Sequence, residues 1–300
     1  MPDRVACDAV GAARFLSACD HETPVAIAYQ SQPYAAPKKR GAQFGGRSEK
    51  KHPTPTAEQV MRSFNTWSFK REQPSDLKLL LRVIAAAIEQ HSPVPFVLYW
   101  GKGPRSEAGE PELQCLDYLA SLMARVRHVY EPGGKMTLIL TDTHAELNGH
   151  PAQNIRQYFD TIKPLAEQRG FTTCWLGSLV KASGSAVTAV PIEDVVAPEA
   201  LAKLVASAQK WYRGGGTAQD GALIYLRMNL IEQRVVERAF PGSIFVTFNG
   251  SEMRFLFPKQ LPIFYMYSLR RGVSIKPWFL PAPERNLSLD QSTPLRPDAA

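Results

Sequence analysis

The segment GGKMTLILTDTHAELNGH, residues 133–150, changes from apolar to polar within a single step. Its apolar run, 136–140, is followed directly by Thr141, Asp142, Thr143 and His144. Carboxylates and imidazoles transfer protons near neutral pH, and a two-residue spacing in extended backbone places both side chains on one face. We therefore predict that Asp142 and His144 form a proton-transfer pair, with a turn or helix-capping role as the alternative for Asp142.

Cationic side chains are the second group that could do chemistry. Lys102 and Arg105 lie in GKGPRS, a glycine-rich segment that follows the apolar run 94–100. Ammonium and guanidinium groups beside glycine backbone N–H groups can hold a phosphate, so we predict that both residues bind substrate. The segment is neither a P-loop nor a dinucleotide-binding motif, and a solvated loop is the alternative.

A second basic cluster lies near the C-terminus among aromatic residues, where an unpaired charge is costly. Its predicted anion ligands are Arg254, Lys259, Arg270 and Lys276. If this segment is a strand, Arg254 shares a face with Glu252, and an ion pair between them is the alternative.

Aromatic residues near both basic clusters could form a pocket for an aromatic amino acid. The candidates are Trp100, Tyr265, Tyr267 and Trp278. Aromatic residues in strands also form ordinary core, which is the alternative here.

Strands that alternate with helices must position these residues. Short apolar runs at 94–100, 136–141 and 171–179 predict buried strands, and apolar residues at helical spacing predict helices between them. This alternation predicts an α/β, Rossmann-like fold with a mostly parallel sheet. Ligands bind beyond the carboxyl ends of such strands, which is where Lys102 and His144 stand.

The pattern changes in the last third of the chain. Helical patterns at 198–216 and 220–240 precede a run rich in β-branched and aromatic residues. Within that run, Asn249-Gly250 between IFVTF and MRFLF is a strong hairpin signal. We therefore predict that the C-terminal portion of the sheet is antiparallel.

Composition excludes several classes of protein. A chain of 300 residues with 44% apolar content can bury a large core without disulfides, and its four cysteines form no Cys-x-x-Cys pair. No metal site is predicted, because His144 and His150 lack helical zinc spacing and have no third ligand. No apolar run is long enough to span a membrane, so we expect a soluble cytoplasmic protein.

The net charge of +7 is unevenly distributed. Residues 31–58 carry six Lys and Arg against two Glu and are poor in apolar side chains, which is typical of a segment that does not order itself. We predict a flexible basic N-terminal arm over 1–58, a catalytic domain over 59–280 and a mobile tail over 281–300. The arm is either a solvated linker or a contact for nucleic acid.

A family resemblance extends from about Phe64 to Phe279. The segments around VPFVLYWGKGPRS, HVYEPGGKMTLILTDTH and ERAFPGSIFVTFNG resemble, in order and spacing, the isocyanide (isonitrile) synthase family, which includes the pyoverdine and dityrosine biosynthesis proteins. The matching positions are Lys102, Tyr130, Pro132, Gly133, Asp142, Phe240, Pro241, Gly242, Pro277 and Trp278. The chain departs from the family at Asn249 and Phe279, where the family pattern has histidines.

This resemblance implies an enzyme of secondary metabolite biosynthesis that needs no cofactor and no metal. Its substrates would be an amino acid such as tyrosine or tryptophan and a ketopentose phosphate such as ribulose 5-phosphate, which supplies the isonitrile carbon. Asn249 would be a catalytic residue in place of the family histidine, and Trp278 would bind substrate.

Two other functions compete with this one. Cyclodipeptide synthases have a similar sheet and use aminoacyl-tRNA, but they need a nucleophilic serine just after the first strand, where this chain has WGKGPRSE with Ser106 farther along. A non-catalytic nucleic-acid binder would use the basic arm. We do not expect nucleic acid to be a partner of the catalytic domain.

Overall fold

A five-stranded sheet forms the centre of the fold in the computed structural model, which describes residues 54–184, 197–269 and 275–280. Its strands are β1 (Val94–Trp100), β2 (Gly134–Leu140), β3 (Thr172–Trp175), β4 (Ile244–Thr247) and β5 (Ile263–Tyr265). They lie side by side in the order β3-β2-β1-β4-β5, and every neighbouring pair is parallel. The α/β, Rossmann-like fold with a mostly parallel sheet is therefore confirmed.

Helices cover the sheet. Before β3 they are α1 (Ala57–Phe64), α2 (Leu77–Glu89), α3 (Glu110–Val129), α4 (Asp142–Leu147) and α5 (Ala152–Glu167). After β3 they are α6 (Leu176–Ala182), α7 (Pro198–Trp211) and α8 (Ala218–Ala239), and short 3₁₀ turns follow at Ser251–Leu256 and Pro277–Phe279. Helix α1 begins with a capping box, in which the side chains of Thr56 and Gln59 each accept a hydrogen bond from the other residue's backbone N–H.

Side chains on the two faces of the sheet belong to two separate cores. On β1, Phe96 and Leu98 pack with residues of α1, α2, α3 and α5, whereas Val97 between them packs with residues of α6, α7 and α8. Alternating strand side chains point to opposite faces, so a sheet buried on both sides needs apolar residues at nearly every position. This explains why the strands read as continuous apolar runs.

The predicted antiparallel C-terminal portion is not found among the described strands, and the antiparallel pairing that the C-terminal segment does make is an isolated bridge between Lys70 and Met266. Strand β5 runs parallel to β4, and MRFLF lies in the 3₁₀ turn Ser251–Leu256 and its end. A tight hairpin at Asn249-Gly250 would need positive φ angles, but Gly250 has φ −86° and begins the 3₁₀ turn. The N–H of Ser251 instead donates to the Glu72 carboxylate, a contact with a distant part of the chain.

The third strand is shorter than predicted, since α6 begins at Leu176. The predicted arm and tail lie almost wholly outside the described residues, apart from 54–58, where α1 begins. Within the described part of the chain, no helix combines the length and apolar character that crossing a membrane requires.

Candidate functional site

A cavity of about 470 Å³ opens at the carboxyl edge of the sheet. From β1 the chain adds β2 and then β3 on one side of β1, and it later adds β4 and then β5 on the opposite side of β1. The direction in which strands are added therefore reverses between β1 and β4. Residues that follow the ends of β1, β2 and β4 line the cavity, among them Lys102, Thr141 and Asn249. The cavity therefore occupies the switch point at which doubly wound sheets bind ligands.

Aromatic side chains form much of the cavity wall. They come from strand ends, from α7 and α8, and from the two 3₁₀ turns: Tyr99, Trp211, Tyr212, Tyr225, Phe248, Phe257, Trp278 and Phe279. Trp211 at the end of α7 stacks on Phe279, with ring centroids 4.4 Å apart and planes 23° from parallel. This stack joins α7 to the C-terminal turn over the cavity, and the volume suits a small organic molecule.

Lys102 lines the cavity with a side chain that is 4% exposed. Its ammonium donates to the carbonyls of Gly103, at 3.0 Å, and Arg105, at 2.8 Å. The ammonium also lies over the ring of Tyr158, 5.4 Å from its centroid. Burial lowers the pKa of Lys102, because the buried ammonium has lost part of its hydration. An anion bound beside this ammonium would replace part of that lost hydration and would therefore be bound favourably.

Lys276 is the second predicted substrate-binding residue whose side chain lines the cavity. Burial lowers its pKa as well, and the nearby Arg71 guanidinium adds to this effect. Lys210, at the end of α7, lines the cavity too and lies over the ring of Trp211. The cavity thus gathers cationic side chains from three distant parts of the sequence.

Arg105 and Arg254 are outside the cavity lining and have structural partners. Arg105 forms an ion pair with the fully buried Glu112 and donates to the carbonyl of Pro277, at 3.0 Å. Arg254 donates to the carbonyls of Phe257 and Lys259, which closes the loop after the 3₁₀ turn. Both guanidiniums therefore hold loops that shape the cavity.

Asp142 and His144 are not brought together. The prediction of an extended segment is wrong, because Thr141 is followed at once by α4, and residues two apart on a helix do not face each other. The carboxylate of Asp142 accepts from the N–H of Gly177 at 2.9 Å, so it links α4 to α6. His144 lines the cavity, and its Nε2 lies 2.6 Å from the carboxylate of Glu232 on α8.

Asn249 and Trp278 both line the cavity, as does Phe279. The N–H of Asn249 donates to the hydroxyl of Thr247, which turns the chain outward at the end of β4. The predicted aromatic pocket is only partly present, because Trp100 and Tyr265 are core residues and Tyr267 does not line the cavity.

Sequence reasoning missed Tyr99, Tyr225 and Glu232, which surround His144. One signal was available in α8, where Tyr225, Asn229 and Glu232 recur at helical spacing beside buried Leu226 and Leu230. Polar residues on the buried side of a helix need a partner, and here that partner lies at the cavity.

Among the described residues, His, Cys, Asp and Glu side chains form no group of three that could hold a metal ion. Ser106, the serine nearest to the position that a cyclodipeptide synthase would use, does not line the cavity.

No family model matches the sequence, and no curated protein matches it. Among solved structures, the PvcA protein from Pseudomonas aeruginosa has a similar fold, with a TM-score of 0.59 and 19% identity over 74% of this chain and 87% of PvcA. A tyrosyl-tRNA synthetase complexed with L-tyrosine from Archaeoglobus fulgidus is more distant, with a TM-score of 0.44 and 13% identity over 72% of this chain and 65% of the synthetase. The comparison with PvcA shows a shared fold that spans most of both chains.

Proposed function

We propose that this chain is an isocyanide-synthase-like enzyme that joins an aromatic amino acid to a ketopentose phosphate. The observation that carries this proposal is the cavity at the switch point, where Lys102 and Lys276 meet a wall of aromatic rings. The sequence resemblance and the fold shared with PvcA, a pyoverdine/isonitrile synthase-family protein, support the same class of reaction.

The two lysines suit the phosphate of the sugar. Both are cationic side chains whose pKa is lowered mainly by burial, so a dianionic ligand would repay part of the cost of burying them. Charge-assisted hydrogen bonds from ammonium groups are the usual means of holding a phosphate. The aromatic wall suits the ring of tyrosine or tryptophan, which would bury apolar area against Tyr99, Phe257 and Trp278.

The first chemical step has clear requirements. The amine of the amino acid must lose a proton to become nucleophilic, its nitrogen must then bond to the ketone carbon, and water must leave to give an imine. His144 is a side chain of the cavity lining that can accept and return this proton. Asn249 and Tyr225 also line the cavity and can hydrogen-bond the ketone oxygen or its hydroxyl product.

Mass spectrometry of the products tests this function directly. The full chain is incubated with tyrosine or tryptophan and with uniformly ¹³C-labelled ribulose 5-phosphate. We expect an isonitrile product that carries a single ¹³C, together with release of phosphate-containing fragments. If neither amino acid yields labelled product while the sugar phosphate is left intact, the proposal is wrong.

A pair of lysine variants tests whether the cavity is the site. Lys276→Ala should raise KM for the sugar phosphate about 10- to 100-fold, the usual loss for a charge-assisted hydrogen bond. Lys276 is preferred to Lys102, whose carbonyl bonds also hold the loop after β1. Lys78→Ala, at an exposed position of α2, is the control and should leave KM unchanged. Equal KM values in the two variants would place the phosphate elsewhere.

A further inference from the structure

Glu232 is a buried carboxylate with two hydrogen-bond partners on one neighbouring helix. It lies on α8 and is 2% exposed. Its Oε1 accepts from the hydroxyl of Thr143 at 2.7 Å, and its Oε2 lies 2.6 Å from Nε2 of His144. A carboxylate is costly to bury unless its oxygens are paired, so this geometry ties α8 to the start of α4.

The imidazole of His144 is fixed on its sides as well as at its end. The ring of Tyr225 meets it nearly edge to face, with centroids 5.1 Å apart, and Tyr99 does the same at 5.9 Å. The hydroxyl of Thr143 donates a hydrogen bond to one oxygen of Glu232, which leaves the other oxygen to accept from Nε2 of His144. An ionised Glu232 therefore selects the Nε2–H tautomer and leaves the lone pair on Nδ1.

We propose that Glu232 is a positioning residue, which holds His144 in the Nε2–H tautomer so that Nδ1 accepts the proton of the substrate amine. The reaction step rests on the proposed function, whereas the tautomer follows from the geometry alone. The proton moves from the substrate ammonium to Nδ1, the freed nitrogen lone pair bonds to the ketone carbon, and the carbonyl electron pair moves to oxygen. Glu232 stabilises the imidazolium that forms, and the imidazolium returns this proton to the alkoxide oxygen, which becomes a hydroxyl. Nδ1 then takes a second proton from the bonded nitrogen and passes it to the hydroxyl, which leaves as water while the nitrogen lone pair forms the C=N bond of the iminium.

The tyrosines beside His144 do not replace it as the base. Burial raises the pKa of Tyr225 to about 12 and that of Tyr99 well above its ordinary value, and the Glu232 carboxylate adds to both shifts. Both phenols are therefore protonated near neutral pH. They can enclose the imidazole and donate a hydrogen bond, and the proton acceptor among these three rings is His144.

Nitrogen NMR of the full chain tests the tautomer without any need for turnover. Protein labelled with ¹⁵N-histidine is compared with a His144→Gln sample to assign the His144 signals. In the unmodified chain at neutral pH, we expect Nε2 to be protonated and Nδ1 to be unprotonated. A protonated Nδ1 with an unprotonated Nε2 would overturn the proposal, whether or not the enzyme forms an isonitrile.

The variant Glu232→Gln keeps the shape of the side chain and changes what it can accept. Its amide donates to Nε2, so the tautomer should shift toward Nδ1–H, and kcat should fall about 10²-fold while KM changes little. Gln233→Ala, on the same helix as Glu232, is the matched control, because it removes a buried hydrogen bond from Gln233 to the carbonyl of Phe255 in the 3₁₀ turn. It should lower the melting temperature without changing the tautomer. A wild-type tautomer in folded Glu232→Gln would also overturn the proposal.

Discussion

Asp142 and His144 show how two neighbouring side chains acquire different roles from their surroundings. The carboxylate of Asp142 faces the start of α6, where it accepts from Gly177, and it does not line the cavity. Burial raises its pKa, although the hydrogen bonds from Gly177 and Thr143 oppose this shift. The contacts of Asp142 therefore support the structural role, while those of His144 support proton transfer.

The substitution Asp142→Asn tests this assignment through its pH dependence. Because the folded pKa lies above the ordinary value of 3.8, the folded state binds more protons than the unfolded state, and ionisation lowers the free energy of unfolding as pH rises through the folded pKa. Asparagine does not ionise. The melting temperature of the variant relative to wild type should therefore increase as the pH rises above the ordinary pKa of 3.8.

Turnover and a control complete this test. Asp142→Asn should keep kcat within about 3-fold of wild type, since the carboxylate serves a helix contact and not the reacting atoms. Asp160→Asn, at an exposed position of α5, controls for the loss of a surface charge. A kcat about 10²-fold lower would return Asp142 to the catalytic group. A relative melting temperature that decreases with pH would show instead that the pKa of Asp142 is lowered in the folded state.

Strand ends explain which site residues the sequence could predict. Lys102, His144 and Asn249 each follow a strand closely, so parallel pairing alone brings them to one edge of the sheet. Glu232 is 88 residues from its partner His144, and only the packing of α8 across the sheet joins them. The sequence could not show that Arg105 is a structural residue and does not line the cavity, because its structural role depends on contacts with the buried Glu112 and the carbonyl of Pro277.

At the scale of elements, the loop after β1 and the Pro277–Phe279 turn are built around each other. A Cβ atom at Gly101 would lie 2.6 Å from the ring of Trp278, and one at Gly103 would lie 1.9 Å from the carbonyl oxygen of Trp278. Arg105 also donates to the carbonyl of Pro277. This contact explains why the segment GKGPRS is a packed loop and is not a solvated one.

Gly103→Ala should therefore disturb the cavity. The added methyl group meets backbone atoms of Trp278, which cannot rotate away, so we expect a loss of about 1–3 kcal/mol in the free energy of unfolding. Displacement of the turn should also weaken substrate binding, because Lys276 and Trp278 move with it. Urea denaturation and KM measure the two effects.

Gly215→Ala is the matched control for this substitution. A Cβ at Gly215 meets nothing within 4 Å, so its stability and KM should remain close to those of wild type. If Gly103→Ala behaves in the same way as Gly215→Ala, the contact between the loop and the turn contributes nothing to the site.

The elements themselves divide into those that local pattern determines and those that tertiary contacts determine. The apolar run 94–100 became β1 at its predicted bounds, since a strand covered on both faces leaves a continuous signal. MRFLF has strand-like composition, yet the N–H of Ser251 is taken by Glu72, far away in sequence, and the backbone enters a 3₁₀ turn. Propensity was overridden there by a contact that no local window contains.

At the scale of the whole molecule, strand order sets the place of the cavity. The helices that follow β1 and β2 pack on one face of the sheet, and α8, which leads into β4, packs on the other. The chain therefore leaves a gap between β1 and β4 at the carboxyl edge, and the end of α7 and the C-terminal turn close over it. Residues from most of the described length of the chain meet at this gap.

The N-terminal boundary of this fold is the last prediction. Thr56 caps α1 with its own side chain, and Val60 and Phe64 of that helix are fully buried against the core. All six basic residues of the segment 31–58 precede Thr54. A chain that begins at Thr54 should therefore keep the melting temperature and turnover of the full chain, and it should lose any salt-dependent binding of nucleic acid.

A second truncation shows that this boundary is specific. A chain that begins at Asn65 also lacks α1, so it exposes the surface that Val60 and Phe64 covered, and the free energy of unfolding should fall by about 3 kcal/mol or more. Thermal melting, turnover and a salt titration of nucleic-acid binding distinguish the two truncated chains. Loss of turnover in the chain that begins at Thr54 would assign the N-terminal segment to the catalytic machinery. Salt-dependent binding that persists in this chain would place the nucleic-acid contact on the α/β domain itself.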